Sequence, residues 1–177
     1  WLKMFKVIDN FLDKKDFAEL QSQLLFNSNF PWYFQETKDT ILGDKLGNKD
    51  LNQFQLIHSF IDGLKINSPF YPILFPLFKK LNIAAVTKVK ANLNPYNYKL
   101  NQGLWHQDDT FTNNKAAVFY LNTCNGYTVF KENNKKTYSQ ANRIIIFNSN
   151  DIHRGTNTTN KKRRVVLNIN YYEFSKK

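Results

Sequence analysis

The second half of the chain consists of short apolar runs that are separated by turns. Between Ala84 and Phe174 these runs are rich in Val, Ile, Tyr and Phe, the residues that favour strands. Turn sequences such as Cys124-Asn125-Gly126 lie between them. The five runs are AAVTKVKANL, KAAVFYLN, GYTVF, NRIIIF and RRVVLNINYYEF. This half is therefore predicted to form an antiparallel β-structure.

The first half has the spacing of amphipathic helices. Apolar residues recur on one helical face over Asp13–Phe26 and again over Asp50–Leu64. A third helix is predicted from Ser68, with Pro69 near its first turn. His58 falls in the second helix, where a lone histidine is more often a packed residue than a ligand.

Length and composition fit one globular domain over residues 1–177. A chain of this length can bury a core without disulfides, and its 42% hydrophobic and 16% aromatic content argues against disorder. We expect a helical support layer over about residues 1–82 and a β core over about residues 83–177.

Cysteine content and hydropathy bear on the compartment. Cys124 is the only cysteine and cannot form an internal disulfide, which indicates a reducing cytoplasm. No apolar run has the length of a membrane span, and the N-terminus lacks the pattern of a signal peptide. We expect a cytoplasmic protein with no membrane partner.

The net charge of +11 favours an acidic partner, such as nucleic acid or an acidic protein. The basic residues are mostly dispersed, however, and a dispersed pattern is also typical of a solvated surface that serves solubility. The one tight basic cluster is Lys161-Lys162-Arg163-Arg164. Both interpretations of the charge stay open.

The sequence LWHQDDT contains one of the three histidines of the chain. If this stretch is extended, the side chains of His106 and Asp108 project to the same face. An imidazole and a carboxylate on one face are two of the three ligands of a 2-His-1-carboxylate site for Fe(II). The third ligand would be His153, the one histidine downstream, which follows the apolar run NRIIIF. A His-x-Asp sequence also arises by chance, so the pairing is not decisive.

The last predicted strand carries a polar face. In RRVVLNINYYEF, Arg164 shares one face with Val166, Asn168 and Asn170, whereas the opposite face is mostly apolar. A polar face suits a strand that lines a hydrated site. An arginine guanidinium there can bind a carboxylate through two parallel hydrogen bonds. A co-substrate with one carboxylate for a metal and another for Arg164 would be 2-oxoglutarate.

Several of these segments together resemble the Fe(II)/2-oxoglutarate-dependent oxygenases, most closely the prolyl 4-hydroxylase-like branch and its small viral or marine-bacterial members. The resemblance covers mainly residues 90–172. The matching segments are HQD, VFYLNT, NGYTVF, NRIIIFNSNDIHRG and RRVVLNINY. It implies a double-stranded β-helix, a jelly-roll barrel, with flanking N-terminal helices. If the gene is viral, the cytoplasm is that of the host cell.

The resemblance also implies residue roles. Fe(II) is bound by His106, Asp108 and His153, with ascorbate as a reductant for the iron. The distal carboxylate of 2-oxoglutarate is bound by Arg164, with Tyr120 as a further hydrogen-bond donor. The alternative for Tyr120 is aromatic packing across strands in the core.

Three positions near the implied co-substrate site differ from relatives or stay ambiguous. Asn168 stands where relatives often have Thr, facing the site. Asn94 falls where relatives commonly have Tyr beside the co-substrate. The doubled arginine leaves the anchor open between Arg163 and Arg164, and only the strand register favours Arg164.

The activity that this resemblance implies is hydroxylation of a C–H bond, with a prolyl residue in a peptide or protein as the leading substrate. Alternative substrates are a free amino acid or another small molecule, or a nucleobase, which the +11 charge keeps open. A different class of protein, a non-catalytic metal-binding β-helix module, also fits the pattern.

Overall fold

The computed structural model describes residues 5–36, 54–63, 65–108 and 114–174. Within these ranges, eleven strands form two antiparallel sheets. The strands are β1 (Lys6–Ile8), β2 (Tyr33–Gln35), β3 (Gln55–Asp62), β4 (Lys65–Ile66), β5 (Ile83–Pro95), β6 (Lys115–Tyr120), β7 (Tyr127–Phe130), β8 (Lys136–Tyr138), β9 (Arg143–Asn148), β10 (His153–Gly155) and β11 (Arg163–Glu173).

The larger sheet has the order β1-β9-β6-β11-β5-β3-β2, with β4 paired to β3, and the smaller sheet has the order β10-β7-β8. All strand pairs are antiparallel, as the turn-separated runs of the second half predict. The long strands β5 and β11 lie side by side and supply most of the wall on which the candidate site is built.

Helices cover the outer face of the larger sheet. The predicted first helix is present as α1 (Lys14–Gln21), which continues as a π-helical turn over Ser22–Phe26. It begins where the Asp13 carboxylate accepts a hydrogen bond from the amide of Asp16 at 2.9 Å, because a side-chain acceptor satisfies an otherwise free amide of the first turn. The predicted third helix is a 3-10 turn over Tyr71–Leu74 followed by α2 (Phe75–Lys80).

The main core lies between these helices and the sheet. Helix residues such as Leu20 and Leu77 pack with the apolar face of β11, including Val165 and Leu167. Alternation along β11 therefore places Arg164 on the opposite face, which looks toward the smaller sheet. The predicted division of this strand into an apolar and a polar face is confirmed.

The predicted helix over Asp50–Leu64 is wrong. Its described part contains strand β3 (Gln55–Asp62), which pairs with β2 and β5. The apolar positions of this short run fit both a helical and an alternating spacing, and long-range pairing with β5 decides between the two. The segment over about 1–82 is consequently not only helical, because it contributes β1 to β4 to the larger sheet.

His58 lies on β3, not on a helix, and its side chain is buried in the core. Its Nδ1 lies 2.7 Å from the carbonyl oxygen of Pro31, and its Nε2 lies 2.7 Å from the hydroxyl of Ser68. Since a carbonyl only accepts, Nδ1 carries the proton and Nε2 accepts from Ser68. Phe30 and Phe60 pack against the ring. Both nitrogens are thus used within the core.

The folded protein should lose stability on acidification partly through His58. Burial lowers the pKa of the His58 imidazole below its ordinary value of 6.5, although the bond to Pro31 opposes this shift. The unfolded chain therefore binds the proton first as the pH falls below about 6.5, and the free energy of unfolding decreases from there toward the folded-state pKa. Chemical denaturation of wild type and His58→Phe at about pH 7 and about pH 5 measures this. The variant should lose less stability over that interval, and equal losses would contradict the assignment.

Candidate metal centre and cavity

The HQD segment lies against β10, which brings the two histidines together. His106 and His153 exchange both backbone hydrogen bonds, at 3.0 and 2.9 Å, and the amide of Asp108 donates to the carbonyl of Ser149 at 2.9 Å. The stretch from Gln102 to Asp108 is not the continuous strand that the alternation assumed, because its bridges at Gln102 and His106 are isolated ones. Pairing across these bridges, rather than a regular pleat, sets the side-chain directions.

His106, Asp108 and His153 offer one ligand atom each, and these atoms lie within 4.8 Å of one another. The two imidazole rings are 4.5 Å apart between centroids, and His153 Nε2 lies 3.8 Å from Asp108 Oδ2. The structure therefore brings together the three residues that the sequence predicts as metal ligands. Among the described residues they form the one such cluster of histidine, cysteine and carboxylate groups.

Backbone carbonyls orient both rings for metal binding. The Nδ1 atoms of His106 and His153 lie 3.1 and 3.0 Å from the carbonyl oxygens of Leu104 and Asp151. A ring that donates from Nδ1 leaves the lone pair of Nε2 available as a ligand. His153 is also buried against Phe147. Two oriented imidazoles and a carboxylate fit the donor set of a non-haem Fe(II) site.

A cavity of about 270 Å³ extends from this cluster between the two sheets. Its walls include side chains of both long strands of the larger sheet, together with β7 and β10 of the smaller one. The predicted positions Arg164, Asn168 and Asn94 all line it. The metal cluster and the polar face of β11 thus open into the same space.

Arg164 is held rigidly in the cavity wall, where it is only 2% exposed. Its Nε donates to the hydroxyl of Ser139 at 3.0 Å, Nη1 to the carbonyl of Thr156 at 3.2 Å, and Nη2 to the hydroxyl of Thr128 at 3.1 Å. Gly126 makes room for it, because a Cβ at that position would lie 2.5 Å from Arg164 Cδ. The guanidinium is consequently fixed before any ligand arrives.

The electrostatics of Arg164 favour an anionic ligand. Burial lowers the pKa of the Arg164 guanidinium, which means that burial penalises its charged form. The three groups that accept hydrogen bonds from this guanidinium, on Ser139, Thr156 and Thr128, are all uncharged. A carboxylate in the cavity would supply the missing countercharge.

Arg163 points to the other side of the sheet. Its guanidinium donates to the carbonyl of Leu25, the last buried leucine of the π-helical turn. It does not line the cavity. Among the two neighbouring arginines, the geometry therefore makes Arg164 the one available to a ligand.

Tyr120 lies behind the cavity wall and does not line it. Its hydroxyl donates to the hydroxyl of Thr128 at 2.9 Å, and the Arg164 guanidinium carbon lies 5.5 Å from the centre of its ring. Burial raises the pKa of the Tyr120 hydroxyl, so it stays protonated as a donor. The contact between Tyr120 and 2-oxoglutarate that the resemblance implies stays a prediction, and the residue that lines the cavity here is Thr128, the hydrogen-bond partner of Tyr120.

Residues that support the arginine were missed in the sequence. Thr128, Ser139 and Thr156 hold the guanidinium, and Gly126 leaves it space. The run GYTVF does place Thr128 on a strand that reaches the site, but nothing in the sequence pairs it with Arg164. The residues that hold the guanidinium are far from Arg164 in the chain, so only the folded structure identifies them.

Comparison with known structures places the fold. No protein-family model and no curated protein matches the sequence. A 2OG-Fe(II) oxygenase-family oxidoreductase from Burkholderia pseudomallei is similar with a TM-score of 0.68 at 10% identity, covering 94% of this chain and 84% of that one. A prolyl hydroxylase from Trichoplax adhaerens, in complex with a peptide fragment of the hypoxia-inducible factor oxygen degradation domain, is similar with a TM-score of 0.61 at 16% identity, covering 96% and 84%.

The chain has the fold of the 2-oxoglutarate/Fe(II) oxygenases. A viral collagen prolyl hydroxylase from Paramecium bursaria Chlorella virus-1, solved with 2-oxoglutarate, covers 98% of both chains with a TM-score of 0.59 at 13% identity. The predicted jelly-roll fold with flanking helices is thereby confirmed. No helix in the described part of the chain is both long enough and apolar enough to cross a membrane.

Proposed function

We propose that this protein is an Fe(II)- and 2-oxoglutarate-dependent oxygenase that hydroxylates a C–H bond. The observation that carries the proposal is that a cluster of two histidines and a carboxylate shares one cavity with a buried, preorganised arginine. The two histidines and the carboxylate are suitable ligands for Fe(II). The arginine is suited to bind the distal carboxylate of a dicarboxylic acid. Solved structures with this fold include proteins complexed with 2-oxoglutarate and iron.

The residues have separate roles in the proposed reaction. His106, Asp108 and His153 hold Fe(II), which supplies the activation of oxygen when it is bound. Arg164 binds and orients 2-oxoglutarate, and Thr128 and Ser139 keep the guanidinium in place. Asn168 lines the same wall and stays a candidate contact. Tyr120 positions Arg164 through Thr128.

The overall reaction balances without a further reactant. 2-Oxoglutarate, oxygen and a substrate C–H yield succinate, carbon dioxide and the hydroxylated product, with one oxygen atom in succinate and the other in the hydroxyl group. Ascorbate is not consumed in this cycle and would serve only to keep the iron reduced.

A prolyl residue in a peptide or protein is the proposed substrate. Its support is that prolyl hydroxylases from an animal, a bacterium and a virus are among the proteins with this fold, one of them solved with a peptide. Other proteins with this fold are an epimerase and a carbocyclase of nogalamycin biosynthesis. A free amino acid or another small molecule is therefore the alternative substrate class.

Conversion of 2-oxoglutarate to succinate distinguishes an enzyme from a non-catalytic metal-binding module. We expect the purified protein with Fe(II), ascorbate and oxygen to release carbon dioxide from 2-oxoglutarate labelled at its first carbon, slowly alone and faster with substrate. Omitting Fe(II) or oxygen should stop the release. A protein that binds metal but never consumes 2-oxoglutarate with any substrate mixture would be a module, and the proposal would be wrong.

A further inference from the structure

The polar wall of the cavity continues well beyond Arg164. On β11 the side chains of Arg164, Val166, Asn168 and Asn170 line it, and Asn92 lines it from the neighbouring strand β5, opposite Val166. The six-residue step from Arg164 to Asn170 corresponds to about 20 Å of strand. A five-carbon dicarboxylate bound at Arg164 is much shorter, so the far part of this wall faces another molecule.

Two carboxamides of this wall are buried without a partner among the described residues. The side chains of Asn92 and Asn170 are only 9% and 4% exposed, and neither forms a hydrogen bond with another described residue. Asn92 Oδ1 is itself buried and without a hydrogen-bond partner. Native proteins contain few such groups, because a buried polar atom without a partner costs free energy. We therefore expect a molecule in the cavity to supply the missing partners.

2-Oxoglutarate cannot be the partner of Asn92 Oδ1. The fully ionised co-substrate carries acceptors only, whereas this oxygen needs a donor. Water can donate to it while the cavity is empty, but a substrate that displaces the water must bring a donor of its own. The substrate therefore presents N–H or O–H groups to this wall.

The spacing of the carboxamides matches that of an extended peptide. Asn168 and Asn170 lie two positions apart on one face of β11, beside Asn92 on β5. Residues on one face of a strand repeat at about 6.6 Å, and the amide groups along one edge of an extended peptide have the same repeat. A carboxamide both donates and accepts hydrogen bonds, as a peptide group does. A peptide that lies along the wall can thus bind successive carboxamides.

The lining of the cavity favours hydrogen bonds over stacking. No Phe, Tyr or Trp is among the described residues that line it. Proteins that bind single bases commonly stack them on such rings, and grooves for proline-rich segments are lined by aromatic residues. Recognition of a substrate here consequently depends on its polar groups.

We infer that this site binds its substrate as an extended peptide, through main-chain amides that hydrogen-bond to Asn92, Asn168 and Asn170. The nitrogen of a prolyl residue carries no hydrogen, so the N–H groups belong to the residues that flank it. A free amino acid has no such amides and is not the substrate. This inference rests on the proposed function, because it names how the substrate of that same site is bound.

Three sets of probes test the inference. The first is a pool of short, end-blocked peptides that contain proline, the second has ester oxygens in place of the flanking N–H groups, and the third is the free amino acids. Binding of fluorescein-labelled peptides is measured by anisotropy with Mn(II) and 2-oxoglutarate under nitrogen, and oxidation by mass spectrometry. We expect the amide pool to be bound and oxidised, the ester pool to bind about tenfold more weakly, and the free amino acids to stay unchanged.

Substitution of the asparagines tests the same contacts from the side of the protein. Asn92→Ala, Asn168→Ala and Asn170→Ala should each weaken binding of the amide pool about fivefold, as for the loss of one hydrogen bond. Asn92→Ala should leave binding of the ester pool nearly unchanged, because the donor to Asn92 Oδ1 is already missing there. It should also leave the protein no less stable to denaturant, since it removes a buried acceptor that has no partner. A structural role for Asn92 would lower that stability.

Asn29→Ala is the matched control, because Asn29 is exposed and does not line the cavity. It should change neither binding nor turnover. Absence of binding of the amide pool, equal binding of the amide and ester pools, or asparagine variants that bind like wild type would overturn the inference. So would oxidation of a free amino acid or an oligonucleotide in place of the peptides. If 2-oxoglutarate is never consumed, the proposed function fails, and the binding measurement still decides how a peptide is held.

Discussion

Arg164→Ala should weaken the binding of 2-oxoglutarate by two orders of magnitude or more. Arg164 is almost fully buried, and its hydrogen bonds to Ser139, Thr156 and Thr128 fix the guanidinium in the cavity wall. Removing the cation of a buried charge pair costs about 3–5 kcal/mol, and about 1.4 kcal/mol corresponds to a factor of ten in affinity. Calorimetric titration of 2-oxoglutarate into the Mn(II)-loaded protein without oxygen measures the effect.

Arg163→Ala is the matched control for this change. It removes the same side chain from the neighbouring position, where the guanidinium contacts Leu25 on the helical side of the sheet. Affinity for 2-oxoglutarate should then change by less than about tenfold, as expected for a contact worth about 0–1 kcal/mol. If Arg163→Ala loses affinity for 2-oxoglutarate and Arg164→Ala binds it normally, the assignment of Arg164 as the anchor is wrong.

His153→Ala and Asp108→Ala should each abolish stoichiometric metal binding. Each substitution removes one of only three protein ligands. The two ligands that remain bind the ion too weakly for stoichiometric occupancy. Titration of Mn(II) under nitrogen, followed by its electron paramagnetic resonance signal, gives the stoichiometry. Wild type should bind one ion per chain.

His58→Phe serves as the control for the metal prediction. Both ring nitrogens of His58 are engaged by Pro31 and Ser68 inside the core, away from the cavity. This variant should therefore bind one Mn(II) like wild type while being less stable. Loss of metal binding in His58→Phe with retention in His153→Ala would mean that the ligand set is wrong.

The cluster of His106, Asp108 and His153 could be predicted from the sequence because the chain contains few histidines. With three histidines in the chain and one of them in the N-terminal half, His153 was the one partner available downstream of His106. On β11, alternation alone separated Arg164 from Arg163, since the apolar face of that strand must meet the core.

The N-terminal strands could not be predicted in the same way. The run around His58 has apolar residues at positions that satisfy both helical and strand periods, and pairing with β5, more than 25 residues away in the chain, selects the strand. Strand β10 has only three residues and follows a turn, so the sequence shows no alternation from which its pairing with β7 could be predicted.

The hydrogen-bond partner of Tyr120 could not be predicted from the sequence. The motif VFYLNT identifies the tyrosine, but its partner Thr128 lies on β7, in the smaller sheet. The hydroxyl of Thr128 accepts one hydrogen bond from the Tyr120 hydroxyl and another from the Arg164 guanidinium. The contact is therefore determined by a pair of strands rather than by one motif.

The most direct test of the proposed activity is the fate of molecular oxygen. The protein is incubated with Fe(II), unlabelled 2-oxoglutarate, a pool of proline-containing peptides and oxygen-18 gas, and succinate is analysed by mass spectrometry. A single oxygen-18 atom in each succinate molecule, absent with His153→Ala, is the predicted result. Succinate that carries no label, or succinate formed equally by His153→Ala, would contradict an oxygenase that works through His106, Asp108 and His153.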